Sequence, residues 1–483
     1  MTVELRVTSG AAGDGVSDEL PDRALPADAP AVGADRSLTQ QLAGLVSATR
    51  TEDVPADVLE TAAWWVLDWL GAAIAGLESD AGRIMLEHTG AQPASVAACL
   101  GMSAGRSPQV AALHNGAISH IVEMDDVHRA AIIHPAVVIV PAALAVAEQR
   151  GASGRDFLTA VVLGYEVAIR VGEAVGKTHY FHWHNTGTCG VFGAAAAAGW
   201  LLNLDDERMT WALGNAGTQA SGLWEFIADG AMSKLLHAGR ASANGVLAAE
   251  LAALGFTGAR RILEGRQGFF AATAPDGNPT VVTAGLGEGW KLPGSSIKPY
   301  PSCRHTHAAV DAALALREAH GINSTDVDRI EIDAYQSTID LTDNPTPAHP
   351  YAAKFSVQYC VARALADGAV KIADFDPARI AEATMRDLML RTTVRLDPEL
   401  DARVPQQLPA RVRLLLKDGR TIEETVLTAK GDPEAPLSHA ELTAKFLDLI
   451  ADSPYAMRGQ ELVAAVTGLA DRADARGLLA LGR

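Results

Sequence analysis

The chain is organised around the stretch Asp229-Gly-Ala-Met-Ser-Lys-Leu-Leu-His-Ala-Gly239. An alanine-rich run follows this stretch. The stretch predicts a bend rich in small residues, followed by a closely packed helix over Val246–Leu254 that ends at Gly255. The bend carries one lysine, Lys234, and one histidine, His237. Such a lysine is able to hold an anionic substrate or, if desolvated, to exchange a proton with it. The alternative is a solvated lysine in a loop.

The composition is that of a globular chain with an acidic balance. Of 483 residues, 48% are hydrophobic and 20% are charged, which suits a large core and predicts two domains. The formal net charge of −18 argues against nucleic acid as a partner, because phosphate binding needs clustered lysines and arginines. Without a basic run, or an apolar run of about 18 residues, we expect no membrane contact. The four cysteines form no CxxC pair, which favours a cytoplasmic protein without disulfides or a cysteine zinc site.

Hydrophobic periodicity predicts a mainly α protein, with a large all-α helical domain plus a smaller α+β domain. The predicted helices include one from about 134 to 149 that Gly151 would end, and two over 307–320 and 353–365. The first segment is rich in Ala, Asp, Gly and Pro and lacks the features of a signal peptide, so we expect a disordered extension. In the α+β segment, Asp418-Gly419 separates two alternating runs and predicts a hairpin. Ser438 opens the last segment with a capping box, and its helices are expected to pack on the helical domain. The predicted segments are the extension 1–36, the helical domain 37–285, the α+β domain 286–430 and the C-terminal helices 431–483.

The first cluster of titratable residues lies between Ser119 and Pro135. Three carboxylates, Glu123, Asp125 and Asp126, lie among three histidines that include His134. Carboxylates fix the tautomer of an imidazole and stabilise its cation, as general acid–base catalysis requires. Two alternatives stay open. Histidine and aspartate are common metal ligands, and acids at a helix end also cap backbone N–H groups.

A second cluster, His182–Thr188, runs into the polyalanine helix predicted over 190–202. Thr186 or Thr188 is predicted to cap that helix, which puts His184 beside its N-terminus. Free N–H groups and the positive end of the helix dipole make such a place suitable for a carboxylate.

A further cationic cluster follows Lys298 in the sequence Lys-Pro-Tyr-Pro-Ser-Cys-Arg-His-Thr-His. Lys298, Arg304 and His305 lie together at another helix start, which suits a polycarboxylate, although a solvated basic loop is the alternative. Cys303 is a candidate nucleophile or acid, but a lone cysteine is more often inert. The chain has no GxGxxG after a predicted strand, no Walker sequence and no GxSxG, so we expect no nucleotide cofactor.

These blocks, in this order, resemble the MmgE/PrpD family, which includes 2-methylcitrate dehydratases, cis-aconitate decarboxylases and iminodisuccinate epimerases. The resemblance covers about residues 37–449, and it is specific as a combination although each piece alone is weak. The matching stretches are Glu123-Met-Asp-Asp-Val-His, His134-Pro135, Gly164-Tyr-Glu-Val, His184 through the polyalanine helix, Asp229 through Arg240, Gly255-Phe-Thr-Gly, Lys298-Pro-Tyr-Pro and Lys354-Phe-Ser. Two positions depart from the family. Val127 replaces a threonine, and Cys303 falls where the decarboxylases have a histidine.

The resemblance implies an all-α domain built from both ends of the chain, a lid domain, and an active site between them. It also implies a homodimer without metal or organic cofactor. In members similar to cis-aconitate decarboxylase, the site is lined by residues that fall here on Glu123 (an aspartate there), His134, His184, Lys234 and Lys298.

We therefore predict a cofactor-independent lyase that abstracts a proton α to a carboxylate of a small di- or tricarboxylate. Dehydration of a citrate-like acid comes first, epimerisation or decarboxylation second, and a non-catalytic carboxylate-binding protein third. His237 is expected to support the bend rather than to reach the pocket. The predicted catalytic residues are His134, His184, Lys234, Lys298 and Asp125, and the predicted substrate-binding residues are Glu123, Arg304, Cys303 and His305.

Overall fold

The computed structural model describes residues 36–228 and 230–479. The predicted N-terminal extension therefore lies outside the described residues, apart from its last position. From Leu38 to Thr273 the fold is helical. Its α-helices are α1 (Leu38–Ala48), α2 (Ala56–Leu77), α3 (Asp80–Gly90), α4 (Pro108–Ser119), α5 (Ala136–Arg150), α6 (Gly154–Ala174), α7 (Lys177–His182), α8 (Asn185–Thr188), α9 (Gly190–Leu201), α10 (Asp206–Gly217), α11 (Ser233–Ala253) and α12 (Phe269–Thr273).

The core of this part is built from helices that are rich in small residues and therefore pack closely. The five alanines of α9, residues 194–198, are all fully buried. Between α4 and α11, a Cβ on Gly239 would lie 2.5 Å from the carbonyl oxygen of Leu113, so only glycine permits this approach. α5 ends at Gly151 in the left-handed conformation, as predicted. Among the described residues, α2 is long and apolar enough to cross a membrane, but 72% of its apolar window is buried in the fold.

The stretch around Lys234 differs from its prediction, because from Ser233 onward it is helical rather than bent. α11 begins at Ser233, so Lys234 and His237 lie on its first two turns. The small residues that suggested a bend serve packing instead. Ala238 and Ala241 on this helix are buried in the same core as α4 and α9.

The following part combines helices with a four-stranded sheet. Its strands are β1 (Val327–Ala334), β2 (Thr392–Leu396), β3 (Ala410–Leu416) and β4 (Thr421–Val426). They lie in the order β2-β1-β3-β4, with β1 and β2 parallel and the other two pairs antiparallel. Buried residues of β1 and β3 pair across the sheet, for example Ile332 with Val412, and build a second hydrophobic core. Its elements are α13 (His307–His320), β1 (Val327–Ala334), α14 (Gln336–Thr342), α15 (Pro350–Lys354), α16 (Val357–Asp367), α17 (Pro377–Ile380), α18 (Ala383–Leu390), β2 (Thr392–Leu396), α19 (Pro398–Asp401), β3 (Ala410–Leu416) and β4 (Thr421–Val426).

Local signals predicted most of this part, but not all of it. The hairpin at Asp418-Gly419 joins β3 and β4 as expected. The edge strand β2 was not predicted, because only Thr392 of its five residues is buried and the run shows little alternation. The helix predicted over 353–365 is two helices, since Ser356 caps α16 and separates it from α15.

Two further helices, α20 (His439–Ile450) and α21 (Gly459–Thr467), complete the fold. α20 opens with the predicted capping box of Ser438 and Glu441. Phe446 and Leu462 of these helices belong to the hydrophobic core of the N-terminal helices. The structure thus confirms the predicted fold class of a large helical domain plus a small α+β domain. The segment boundaries themselves stay predictions.

Candidate active site

The loop between α4 and α5 carries a buried glutamate in the left-handed backbone region. Glu123 has φ 59° and is 1% exposed. Lys298 Nζ donates to its Oε2 at 3.1 Å and to its backbone oxygen at 3.3 Å, and Lys234 Nζ contacts its Oε1. Lys354 Nζ donates to the neighbouring carbonyl of Val122 at 2.7 Å. A non-glycine residue persists in this region when its surroundings hold it, and three lysines do so here.

The lysines of this group carry more positive charge than Glu123 neutralises, so the group favours a further anion. Burial alone would raise the pKa of Glu123, but Lys234 and Lys298 outweigh it and hold that pKa below its usual range. Burial lowers the pKa of Lys354 to about 8, against the attraction of Glu123. Two lysines therefore hold one buried carboxylate while a third lies on the neighbouring backbone carbonyl, and an incoming carboxylate would be stabilised there.

These lysines come from both parts of the fold. Lys234 lies on α11, Lys354 ends α15, and Lys298 lies in the segment that leads into the α+β part. The group therefore lies where the helical domain meets the small α+β domain.

A second group joins two histidines to one aspartate beside Glu123. Asp125 Oδ2 lies 2.8 Å from His120 Nδ1 and 2.9 Å from His134 Nδ1. Burial would raise the pKa of Asp125, but His120 and His134 hold it well below its usual range. Burial, opposed by the attraction of Asp125, lowers the pKa of His134 to about 4, and donation from Nδ1 of this neutral ring leaves its Nε2 with a lone pair, the form of a general base. Nε2 of His120 is buried and has no hydrogen-bond partner among the described residues. His120 belongs to the first sequence cluster, but it was not predicted as a site residue.

His184 is stacked against this pair. Its ring lies parallel to that of His120, with centroids 5.6 Å apart, and 6.5 Å from that of His134. Burial, and then the positive charges of His120 and Lys234, keep the pKa of His184 well below its usual value. A neutral imidazole at this place offers a lone pair to a proton, and because its pKa is low it passes that proton on readily once it is protonated.

The predicted cap of the polyalanine helix was wrong. α9 follows Cys189 without a side-chain cap. The hydroxyl of Thr186 instead accepts the backbone N–H of His134 at 3.1 Å, and that of Thr188 contacts His179 Nε2 at 2.8 Å. Both threonines are therefore used to position histidines rather than to end a helix.

Asp126 follows the capping alternative that the sequence left open. Its Oδ1 accepts the N–H of Ala136 at the start of α5, and its Oδ2 accepts the hydroxyl of Tyr165 at 2.7 Å. Burial raises the pKa of Asp126 to about 8. Of the two adjacent aspartates, only Asp125 turns its carboxylate to the imidazoles, whereas Asp126 contacts His134 Nδ1 through its backbone oxygen at 2.7 Å.

The residues predicted around Cys303 have contacts of their own. Arg304 pairs with Asp432 at 2.5 Å. His305 Nδ1 lies 2.6 Å from the hydroxyl of Tyr335, and burial lowers the pKa of His305 to about 4. Burial raises the pKa of the Cys303 thiol, which makes it a poor nucleophile. The lysine and histidine groups thus come together, whereas Arg304 and His305 are engaged beside them.

Sequence reasoning missed Tyr351, whose hydroxyl lies 3.5 Å from Glu123 Oε1. Burial raises its pKa well above the usual value, so the phenol keeps its proton and is a donor. Its position three residues before Lys354-Phe-Ser, one of the matching stretches, was the available signal. His237 also differs from expectation, because its Nδ1 lies 3.3 Å from His184 Nδ1.

A metal fits the same histidines in principle. The ligand atoms of His120, Asp125 and His134 all lie within 4.8 Å of one another, and two imidazoles with a carboxylate are a zinc-type donor set. In the described geometry, Nδ1 of each imidazole lies at hydrogen-bond distance from the same oxygen of Asp125. Activity measured after exhaustive chelation distinguishes a metal site from this hydrogen-bonded arrangement.

Comparison with known proteins agrees with the resemblance read from the sequence. The family models of the MmgE/PrpD N-terminal and C-terminal domains match residues 40–281 and 300–468. A cis-aconitate decarboxylase-like protein of Aspergillus oryzae is 30% identical, over 92% of this chain and 97% of its own. The cis-aconitate decarboxylase of Aspergillus terreus is 28% identical over 93% and 96%, and that of Homo sapiens 27% over 85% and 87%.

Proposed function

This chain belongs to the MmgE/PrpD family, and we propose that it is a lyase that removes CO2 from a small unsaturated tricarboxylate similar to cis-aconitate. The observation that carries the proposal is the convergence of Lys234 and Lys298 on one buried carboxylate, with the Asp125-linked histidines beside it. Cations bind the carboxylates of a polyacid, and imidazoles move its protons.

Decarboxylation takes precedence over the dehydration that the sequence favoured. Relatives that match along most of this chain carry the name cis-aconitate decarboxylase. Dehydration of a 2-methylcitrate-like acid has no such support, and epimerisation remains the second candidate because it uses the same proton-transfer groups.

In the proposed reaction, Lys234 and Lys298 bind two carboxylates of the substrate. Their charge stabilises the electron pair that the departing CO2 leaves on carbon, and such stabilisation is usually the largest catalytic contribution. His184 or His134 delivers the proton that forms the new C–H bond. Asp125 orients His134, and Tyr351 donates to a carboxylate oxygen close to Glu123.

The test is proton NMR of the purified protein with cis-aconitate, citrate, 2-methylcitrate and iminodisuccinate-type acids in D2O. We expect loss of a carboxyl group from cis-aconitate, with one deuteron at a carbon of the product. New alkene signals from a hydroxy acid would instead identify a dehydratase, and deuterium uptake without net reaction an epimerase. Silence across the panel would indicate a carboxylate-binding protein. Activity that survives exhaustive chelation would exclude the metal at His120, Asp125 and His134.

We also propose a homodimer that works in the cytoplasm, without nucleic acid or membrane as a partner. Sedimentation equilibrium at micromolar concentration tests the dimer, and a monomer there would contradict it.

A further inference from the structure

His237 connects the buried imidazoles to the outside of the fold. Its Nδ1 lies 3.3 Å from that of His184, and the ring centroids are 5.5 Å apart. His184 is 1% exposed, whereas the side chain of His237 is only partly buried. The pair is thus a contact between an enclosed ring and one that water reaches.

The surrounding backbone makes room for this contact. A Cβ on Gly222, whose φ is 131°, would lie 3.1 Å from Cγ of His237, and the carbonyl of this glycine accepts the N–H of His184 at 2.9 Å. A Cβ on Gly187 would lie 2.4 Å from the carbonyl oxygen of Ser221 and 3.3 Å from Cβ of His237. Larger residues at either place would displace the His237 ring from His184.

Two imidazole Nδ1 atoms that face each other form a hydrogen bond only if one carries a proton and the other a lone pair. Burial, followed by the positive charges of His120 and Lys234, lowers the pKa of His237 to about 4. The same effects keep His184 neutral. Near pH 7 the pair therefore holds one proton between two neutral rings, and that proton is able to change sides.

Loss of CO2 from a carboxylate requires a proton, which such a pair can supply. Replacing a C–CO2⁻ bond by a C–H bond consumes one proton in each turnover. Asp125, His120 and Lys298 are all buried, so that proton has to cross protein to reach the reacting carbon. Epimerisation, by contrast, returns each proton it removes and has no net requirement.

We propose that His237 relays a proton from solvent to His184, for delivery to the carbon that has lost CO2. This inference rests on the proposed decarboxylation. A solvent proton bonds to Nε2 of His237 while its Nδ1–H bond breaks and an N–H bond forms at Nδ1 of His184. The other nitrogen of His184 then releases its proton, and the electron pair left by CO2 forms the C–H bond. One proton enters and one C–H bond forms, so charge and electrons balance.

The test is His237→Ala in the full-length protein, assayed for CO2 release with and without added imidazole. We expect kcat to fall at least about tenfold with KM nearly unchanged, because substrate binding stays with the lysines. Imidazole should restore kcat with a saturable concentration dependence, since it can occupy the vacated space and carry the proton. His182→Gln, which replaces an exposed histidine of α7, is the matched control and should behave as the wild type with or without imidazole.

Full activity of His237→Ala without imidazole would overturn the relay. A loss that no concentration of imidazole repairs, with a raised KM, would show that His237 only supports α11 and would also overturn it. If the alanine variant unfolds, His237→Gln gives the same two outcomes.

A wild-type protein that releases no CO2 would refute the proposed function separately. The relay would then be judged by deuterium exchange from solvent into the bound acid. His237→Ala should slow that exchange and imidazole restore it. A wild type that shows neither reaction contradicts both proposals.

Discussion

At the scale of single residues, the site depends on Glu123 and the lysines that hold it. The backbone of Glu123 is in the left-handed region, and Lys234 and Lys298 enclose its carboxylate. A substrate carboxylate requires the same environment. Its own negative charge keeps the two lysines from repelling each other while the site is empty. Glu123 therefore prepares the lysines for an anion, and Lys354 adds the positive charge that Glu123 does not neutralise.

Replacing Lys298 by methionine tests this arrangement, because methionine keeps the length of the side chain and removes its charge. We expect kcat/KM for the decarboxylated acid to fall by about 100-fold or more, since one cation that stabilises the developing negative charge is lost. Steady-state kinetics measure the change. Lys371→Met removes a lysine that is 59% exposed and pairs with Asp448, and it should leave the kinetics unchanged. Near-normal turnover of Lys298→Met would remove Lys298 from the mechanism.

At the scale of secondary structure, α11 positions two site residues through its close approach to α4. A Cβ on Gly116 of α4 would lie 3.1 Å from the Cα of Gly239, so the two glycines face each other across the contact. Lys234 and His237 lie on the first turns of the same helix. The distance between the two helices therefore determines the positions of the Lys234 amine and the His237 imidazole.

Gly239→Ala should separate these helices, because the new methyl group would lie 2.5 Å from the carbonyl oxygen of Leu113. We expect a loss of about 1–3 kcal/mol in the free energy of unfolding, and reduced turnover. Urea unfolding and steady-state kinetics measure the two effects. The matched control is Gly90→Ala in α3, whose Cβ would meet only Met102 at 3.9 Å. That variant should stay within about 0.5 kcal/mol of the wild type. Equal stability of both variants would contradict the packing argument.

At the scale of the whole molecule, the C-terminal helix α20 supports the loop of the active site. Lys445 of this helix pairs with Asp68 of α2, and its Nζ also donates to the carbonyl of Met124 at 2.7 Å. Met124 directly follows Glu123, and both partners of the ion pair are buried. Residues more than 300 positions apart in the chain thus hold one loop.

Lys445→Met should lower the free energy of unfolding by about 3–5 kcal/mol, because it leaves the carboxylate of Asp68 buried and unpaired. The double variant Asp68→Asn with Lys445→Met should recover much of that loss, since neither charge remains. Urea unfolding of the single and double variants gives the coupling directly. Arg83→Met removes one partner of an exposed pair and should cost less than about 1 kcal/mol. Additive losses in the double variant would show that the pair is not coupled.

The sequence alone determined the structural features that depend on residues close together in the chain. Periodicity predicted α5, which Gly151 ends, and α13. The Asp418-Gly419 turn predicted the hairpin of β3 and β4, and Ser438 the start of α20. Each of these signals acts within a few residues, because capping, turn conformation and amphipathic spacing are local properties of the backbone. The order of the titratable blocks was also sufficient to recognise the family.

Only the tertiary structure decided which of those titratable residues meet. Asp125 and Asp126 are adjacent and chemically identical, yet one holds two imidazoles and the other caps a helix. The contact between His237 and His184 spans 53 positions, and that between Lys234 and Glu123 spans 111. Such contacts depend on how closely whole helices pack and how each side chain is directed, which no local pattern encodes. The sequence thus determined the helices and the inventory of charged groups, and the packing of α4, α5 and α11 decided which of them form a site.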